Sequence, residues 1–153
     1  MLVKLVAEEG AMKIVVVVAV IERADRRLLI GQRRKEDTSP LKWEFPGGKM
    51  EQGESPESAL ARELKEELGA TLIRSVEIGR VNHSYAESST ELEIRFFAAA
   101  IAETDVVPQA FEAVAWVLPK ELGEYNFLAA NRGLIAQLAT GKIKPGEMIA
   151  EPA

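Results

Sequence analysis

Three glutamates in one short stretch carry the strongest chemical signal in this chain. Glu63, Glu66 and Glu67 lie in ARELKEEL, between Ala61 and Leu68. At about 100° per residue their side chains fall within about 100° of one another on a helix, beside a stripe of Leu60, Leu64 and Leu68. Like charges at i,i+3 and i,i+4 repel by a few tenths of a kcal/mol per pair. Stacking three of them is mildly unfavourable unless a cation sits between. Hard oxygen donors suit Mg²⁺ or Mn²⁺, which bind through a few carboxylates together with substrate phosphates. Taken alone, ELKEEL is also the composition of an ordinary solvated helix face, with Arg62 near Glu66 and Lys65 near Glu63. The preceding segment, Phe45-Pro46-Gly47-Gly48-Lys49, sets two glycines where backbone must approach something closely, with a lysine beside them.

Local signals define the element that holds these carboxylates. Ser55 reads as an N-cap, Pro56 suits the first helical position, Glu57 favours the positive end, and Gly69 closes the helix. Upstream, Ile14–Ile21 is an apolar run rich in β-branched residues, as a strand buried on both faces would be. With 27–34 it reads as a strand–turn–strand pair. Residues 36–53 read as irregular, punctuated by Pro40, Pro46 and the glycine pair. Strands are expected at 71–81 and 91–102, the second with Leu92, Ile94 and Phe96 alternating with Glu91, Glu93 and Arg95. A short strand at 113–118, a helical turn at 119–123 and a helix at 129–139 complete the reading. It predicts one mixed α/β (α+β) domain, a mixed sheet with helices on its faces, with a core of about 12–140. Residues 1–11 read as a loosely held extension and 141–153 as a tail.

Composition narrows the chemistry. The 153 residues carry 19 basic and 24 acidic side chains, a net charge of -5, which argues against gripping a nucleic-acid polymer. There is no cysteine and a single histidine, His83. Thiolate catalysis, cysteine-ligated metals and two-histidine sites are thereby excluded, and carboxylate chemistry remains. The longest apolar run has eight residues, Ile14–Ile21, far short of the ~20 that span a membrane. No signal-peptide cleavage pattern follows it. A cytoplasmic location and no membrane partner are the expectation.

Gly48, five residues, Glu54, seven residues, then Arg62-Glu63-Leu64-Lys65-Glu66-Glu67-Leu68-Gly69-Ala70 matches the signature box of the Nudix hydrolases, with only the last aliphatic position soft. Trp43-Glu44-Phe45-Pro46-Gly47-Gly48-Lys49, Gly31-Gln32-Arg33-Arg34 and a Trp116-containing strand are similar to MutT-type members. Phe127-Leu128-Ala129-Ala130-Asn131 resembles the MutT segment whose asparagine reads a purine edge. The resemblance implies a Nudix α/β/α sandwich and a Mg²⁺-dependent nucleoside triphosphate diphosphatase (Mn²⁺ substituting). Its substrate would be a small-molecule nucleotide, favoured as an oxidised purine such as 8-oxo-dGTP. CTP or a modified dCTP, ADP-ribose, and a catalytically silent nucleotide-binding module are the alternatives. A monomer or homodimer is expected.

The resemblance further implies roles by position. Glu63, Glu66, Glu67 and the Gly47 carbonyl match the family's metal ligands. Arg62 and Glu54 support them, Gly48 lets the loop come close, and Arg34 and Lys49 are candidates for phosphate. MutT-like chains often carry a loop glutamate where this chain has Ala110, so the general base is left to Glu112 or to a box glutamate such as Glu63. Asn131 reads equally as a purine reader or a helix cap. Tyr85, Phe45 and Phe127 are candidates to stack a base or to fill the core. His83 reads as structural or surface.

Overall fold

Residues Ile14–Ile21 sort by parity into two separate cores. The computed structural model, which describes residues 5–8, 11–84 and 90–150, places them in strand β2 (Ala11–Ile21). Val15, Val17, Ala19 and Ile21 face one core, and Val18 and Val20 the other, as the period of two in a strand requires. The first core is closed by helix α1 (Pro56–Leu68) through Ala59, Leu60, Leu64 and Leu68. The second is closed by α2 (Arg132–Ala139) through Leu134 and Leu138. The mixed sheet thus lies between helices, the expected sandwich.

In that sheet β2 runs parallel to β7 (Thr90–Ile101), and β7 pairs antiparallel with β6 (Leu72–Ser84). The other edge of β2 is shared by β1 (Leu5–Glu8) and β5 (Gly47–Lys49), both antiparallel to it. Pairing of β1 corrects the view of residues 1–11 as a loose extension: Leu5 stands opposite Lys13 and Val6 opposite Met12. The strand alternation expected at 91–102 is already broken at Glu93, which is buried and paired with Lys13 at 3.1 Å. Beyond it Phe96, Phe97, Ala98 and Ala99 are all buried, because both faces of β7 are covered there.

The expected strand–turn–strand pair does not form a hairpin of one sheet. The turn exists, with the Arg26 amide donating to the Arg23 carbonyl, but only Glu22 and Leu28 bridge across it. β3 (Leu28–Gln32) then joins β4 (Trp43–Glu44) and β8 (Ala113–Val117) in a second, three-stranded antiparallel sheet. Edge occupancy is the reason: β7 holds one side of β2, and the other is taken by β5 and by the Pro46 carbonyl, which accepts from the Ala19 amide. Two short strands therefore stand within 36–53, where an irregular segment was expected.

Helix α1 begins and ends as its sequence implies. Ser55 Oγ accepts the Ser58 amide at 3.1 Å, and Gly69 ends the helix in the left-handed region (φ 64°). The C-terminal stretch is corrected from a tail to a packed element: α3 (Pro145–Ile149) follows Ile143, which packs on the α2-side core, and Pro145 is buried. The Arg74 guanidinium donates to the Ile149 carbonyl at 2.9 Å. A helix of five residues is too short to show periodicity, which hid it in the sequence. Among the described residues no helix is long and apolar enough to cross a membrane.

Candidate active site

The box folds back on the glycine loop through two glutamates. Glu67 lies near the C-terminal end of α1, and its Oε1 accepts the Gly47 backbone N–H at 2.9 Å. It is thus the amide of Gly47, not its carbonyl, that meets a box carboxylate. Glu63, one turn earlier, lies against Gly48 so closely that a Cβ there would overlap its carboxylate. At Gly47 a Cβ would overlap the Val17 carbonyl of β2. Gly47 is therefore demanded by a close approach of backbone, while a side chain at Gly48 would have to push the Glu63 carboxylate aside.

Arg62 locks the two sides together. Its guanidinium donates to both oxygens of Glu54 at 2.8 and 2.9 Å, to Glu63 Oε1 at 2.8 Å and to the Lys49 carbonyl at 3.0 Å. Glu54 also accepts the Glu51 amide at 2.6 Å. Gly48, Glu54, Arg62 and Glu63, spread over 16 positions of sequence, meet at one place. Glu66 differs: its side chain is 61% exposed and reaches only 3.5 Å from Arg62.

The sequence profile of the NUDIX domain matches residues 12–138. The chain belongs to the Nudix hydrolase family. It is similar to the CTP pyrophosphohydrolase of Escherichia coli, 32% identical over 139 residues that cover 89% of this chain and all of that one. The 8-oxo-dGTP diphosphatase of E. coli is 42% identical over 59 residues, 39% of this chain and 46% of that protein. A MutT protein from Methanosarcina mazei superposes with a TM-score of 0.71 at 25% identity, over 90% of this chain and 100% of that one. As a Nudix hydrolase this chain is a nucleotide pyrophosphohydrolase acting on phosphoanhydride bonds.

The electrostatics of the Nudix box follow from burial. Removal from water pushes the Glu67 carboxyl up to about 9, against the pull of the Gly47 N–H and with the charges of Glu63, Glu44 and Glu66 adding to the push. Burial also raises Glu63, opposed by Arg62. Glu54 is lowered, chiefly by its hydrogen bonds to Arg62. Among the described residues no three acidic or histidine side chains converge into a ready-made cation cage. The donor chemistry nevertheless fits a hard divalent ion: two half-buried carboxylates, with Glu66 beside Glu67 in the chain and one turn from Glu63, able to swing in. A cation that takes Glu67 as ligand has to displace its proton. The apparent affinity for Mn²⁺ is therefore expected to rise by up to about tenfold per pH unit between pH 6 and 8, with proton release. Calorimetry in buffers of different ionisation enthalpy reads both; a pH-independent affinity would remove Glu67 from the ligand set.

Two contacts were not foreseen from sequence. Glu44 is half-buried, paired with Arg33 at 3.2 Å, and its field reaches Glu67. Its only sequence signal is its place in the WEFPGGK lead-in. The segment 107–112 also docks on the end of α1: the amides of Gln109 and Ala110 donate to the Glu67 carbonyl at 3.0 and 3.2 Å. The Arg34 guanidinium donates to the Gln109 carbonyl at 2.6 Å, so Arg34 stands beside this segment. Phe111 is buried over Gly31, where a Cβ would lie 2.6 Å from its ring. Glu112 follows, its amide bonded to the Gln32 carbonyl at 2.9 Å and its side chain exposed. Lys49 contributes its carbonyl to Arg62.

Asn131 is buried, at 6% exposure, and does not cap α2: its backbone is helical and its side chain makes no cap hydrogen bond. Its amide only reaches the Leu128 carbonyl, at 3.5 Å. Next to it, Ala129 and Ala130 line a pocket of about 340 Å³ with Val81, His83, Leu92 and Ile94. Phe45 and Phe127 pack on one another, centroids 5.4 Å apart, in the α2-side core. They are core residues. Tyr85 lies outside the described residues.

Proposed function

We propose that this Nudix hydrolase is a Mg²⁺-dependent nucleoside triphosphate diphosphatase that releases a monophosphate and pyrophosphate, with oxidised purine nucleotides such as 8-oxo-dGTP favoured. The observation that carries the reading is the pairing of Glu67 with the Gly47 amide beside the Arg62-bound Glu63: two carboxylates collected against a glycine loop. The name of the E. coli 8-oxo-dGTP diphosphatase, 42% identical over 59 residues, supports the substrate class. A buried asparagine amide with most of its hydrogen-bonding capacity unspent, following in sequence the Ala129 and Ala130 that line a pocket of about 340 Å³, supports recognition of a base edge. The full-length likeness to a CTP pyrophosphohydrolase favours a second reading, CTP or a modified dCTP.

Glu63, Glu66, Glu67 and the Gly47 carbonyl are the groups we assign to hold the cation. Bound there, it supplies neutralisation of the charge that develops on phosphate oxygens. Arg62 and Glu54 keep Glu63 in place, and Gly48 leaves the room its carboxylate fills. Arg34, with Lys49, contributes positive charge toward the phosphate chain. The proton of the attacking water is assigned to Glu63, since Glu112 is solvated on the surface. Glu112→Gln is accordingly expected to keep turnover within about tenfold of the parent. A hundredfold loss in a pH–rate profile would transfer the base role to Glu112.

Product analysis by ion-exchange chromatography tests the whole reading, with a panel of 8-oxo-dGTP, dGTP, CTP, dCTP derivatives and ADP-ribose in Mg²⁺. Monophosphate plus pyrophosphate, fastest from 8-oxo-dGTP, is the expected result; ADP-ribose turnover alone would overturn it. Asn131→Ala is expected to erode the preference for oxidised over normal guanine by about tenfold, the worth of one or two hydrogen bonds. An unchanged ratio of kcat/KM values would place selectivity elsewhere.

A further inference from the structure

The far end of α2 from Asn131 borders a second pocket, of about 330 Å³, at the lower limit of small-molecule sites. Leu118, Leu138 and Ile143 give it an apolar floor. Arg26, Lys120 and Lys144 stand around it. Three cations gathered at one pocket are notable in a chain of net charge -5. None of these residues belongs to the Nudix box.

Its one carboxylate, Glu22, offsets part of that charge, since it pairs with Arg26 at the pocket wall, and Lys120 and Lys144 have no acidic partner among the lining residues. Glu22 is 11% exposed in its side chain and lies against Gly146, where there is no room for a Cβ, with the Arg26 guanidinium 3.9 Å away. Arg26 itself is held in a left-handed backbone conformation (φ 73°), which costs a residue with a Cβ about 1 kcal/mol and would suit Gly or Asn better. The side chain it presents is 59% exposed beside the pocket. Lys120 is exposed on the 3₁₀ turn Pro119–Glu124, and Lys144 is half-exposed, 4.0 Å from Glu147 at the surface. The carbonyls that end α2 are capped by the amides of Thr140 and Gly141, so they do not offset the cations.

We propose that this pocket is a second ligand site, for a small amphipathic anion: an apolar body seated on Leu118, Leu138 and Ile143, with a carboxylate or phosphate group facing Arg26, Lys120 and Lys144. An apolar floor excludes a bare inorganic anion, which gains nothing from it. Surrounding cations disfavour a neutral hydrocarbon relative to its charged analogue. The site is independent of nucleotide hydrolysis.

The test is titration of the nitrogen-15-labelled full chain, following the backbone amides of Ala139, Gly141 and Ile143. The probes are octanoate, octyl phosphate, octanol and inorganic phosphate. Saturable shifts with octanoate or octyl phosphate are expected, and the stronger of the two identifies the head group. Octanol and inorganic phosphate are expected to bind at least about tenfold more weakly. The double variant Lys120→Glu/Lys144→Glu should weaken the anion by about tenfold or more while leaving octanol unaffected. Ala139→Trp, at an exposed position on the wall, should block the pocket, and the same spectra report whether either variant is folded. Octanol binding as tightly as octanoate, affinity unchanged in the folded double variant or in Ala139→Trp, or shifts centred on Gly47 and Glu63 would each overturn the assignment.

Discussion

Glu67→Gln is expected to lower turnover by about a thousandfold or more while leaving the fold intact. Glutamine keeps the shape and an acceptor for the Gly47 N–H, which Glu67 engages at 2.9 Å. It removes only the negative charge. With no cation present Glu67 holds its proton up to about 9, so the neutral amide resembles the state the folded chain already occupies at neutral pH. The sign of the stability effect follows. Between the ordinary glutamate value and about 9 the unfolded chain is ionised and the folded one is not, so stability falls as pH rises through that window. The variant escapes this loss, and at pH 8 without cation its melting temperature should equal or exceed the parent's. The stabilisation that Mn²⁺ confers on the parent should disappear. Thermal melts with and without cation, beside initial rates on the preferred triphosphate, read all three. Near-parental turnover in Mg²⁺ would sink the assignment of Glu67 as a ligand.

Removing Arg62 should damage stability and activity together. The guanidinium makes four hydrogen bonds, to both oxygens of Glu54, to Glu63 and to the Lys49 carbonyl. Arg62, Glu54 and Glu63 expose 24%, 17% and 14% of their side chains, so the pairs are only partly screened. Arg62→Met keeps the stem and strands two carboxylates and a carbonyl. The expected cost is about 2–3 kcal/mol, below the value for fully buried pairs because water reaches the edge of the network. Glu63 loses its tether as well, and turnover should fall by about ten- to a hundredfold. Lysine at this position should recover part of the stability but little of the rate, since it cannot span Glu54, Glu63 and Lys49 with one planar fork. Urea unfolding with kinetics on the same samples separates the two losses. A variant that is destabilised yet fully active would leave Arg62 a purely structural tie.

The α1 helix was legible in the sequence because everything that makes it is local: a serine cap, proline at the first position, leucines every four residues and a closing glycine. The box was legible for the same reason, since spacing along one helix determines which glutamates are neighbours. The two-sided burial of β2 was also written in its run of valines. What the sequence could not decide was where carboxylates point and which strand edges are already taken. Glu66 turns outward while Glu67 finds the Gly47 amide, 20 positions away in the chain, a choice made by the loop's return to β2. β3 leaves its neighbour for a second sheet because Pro46 and β5 fill the edge it would have used. Arg34 meets Gln109 across 75 residues, and Asn131 is buried rather than capping α2. Helix periodicity and caps act within a few residues, so they can be read from the chain. Strand-edge occupancy and the burial of a charge depend on segments far apart in sequence, and only tertiary packing settles them.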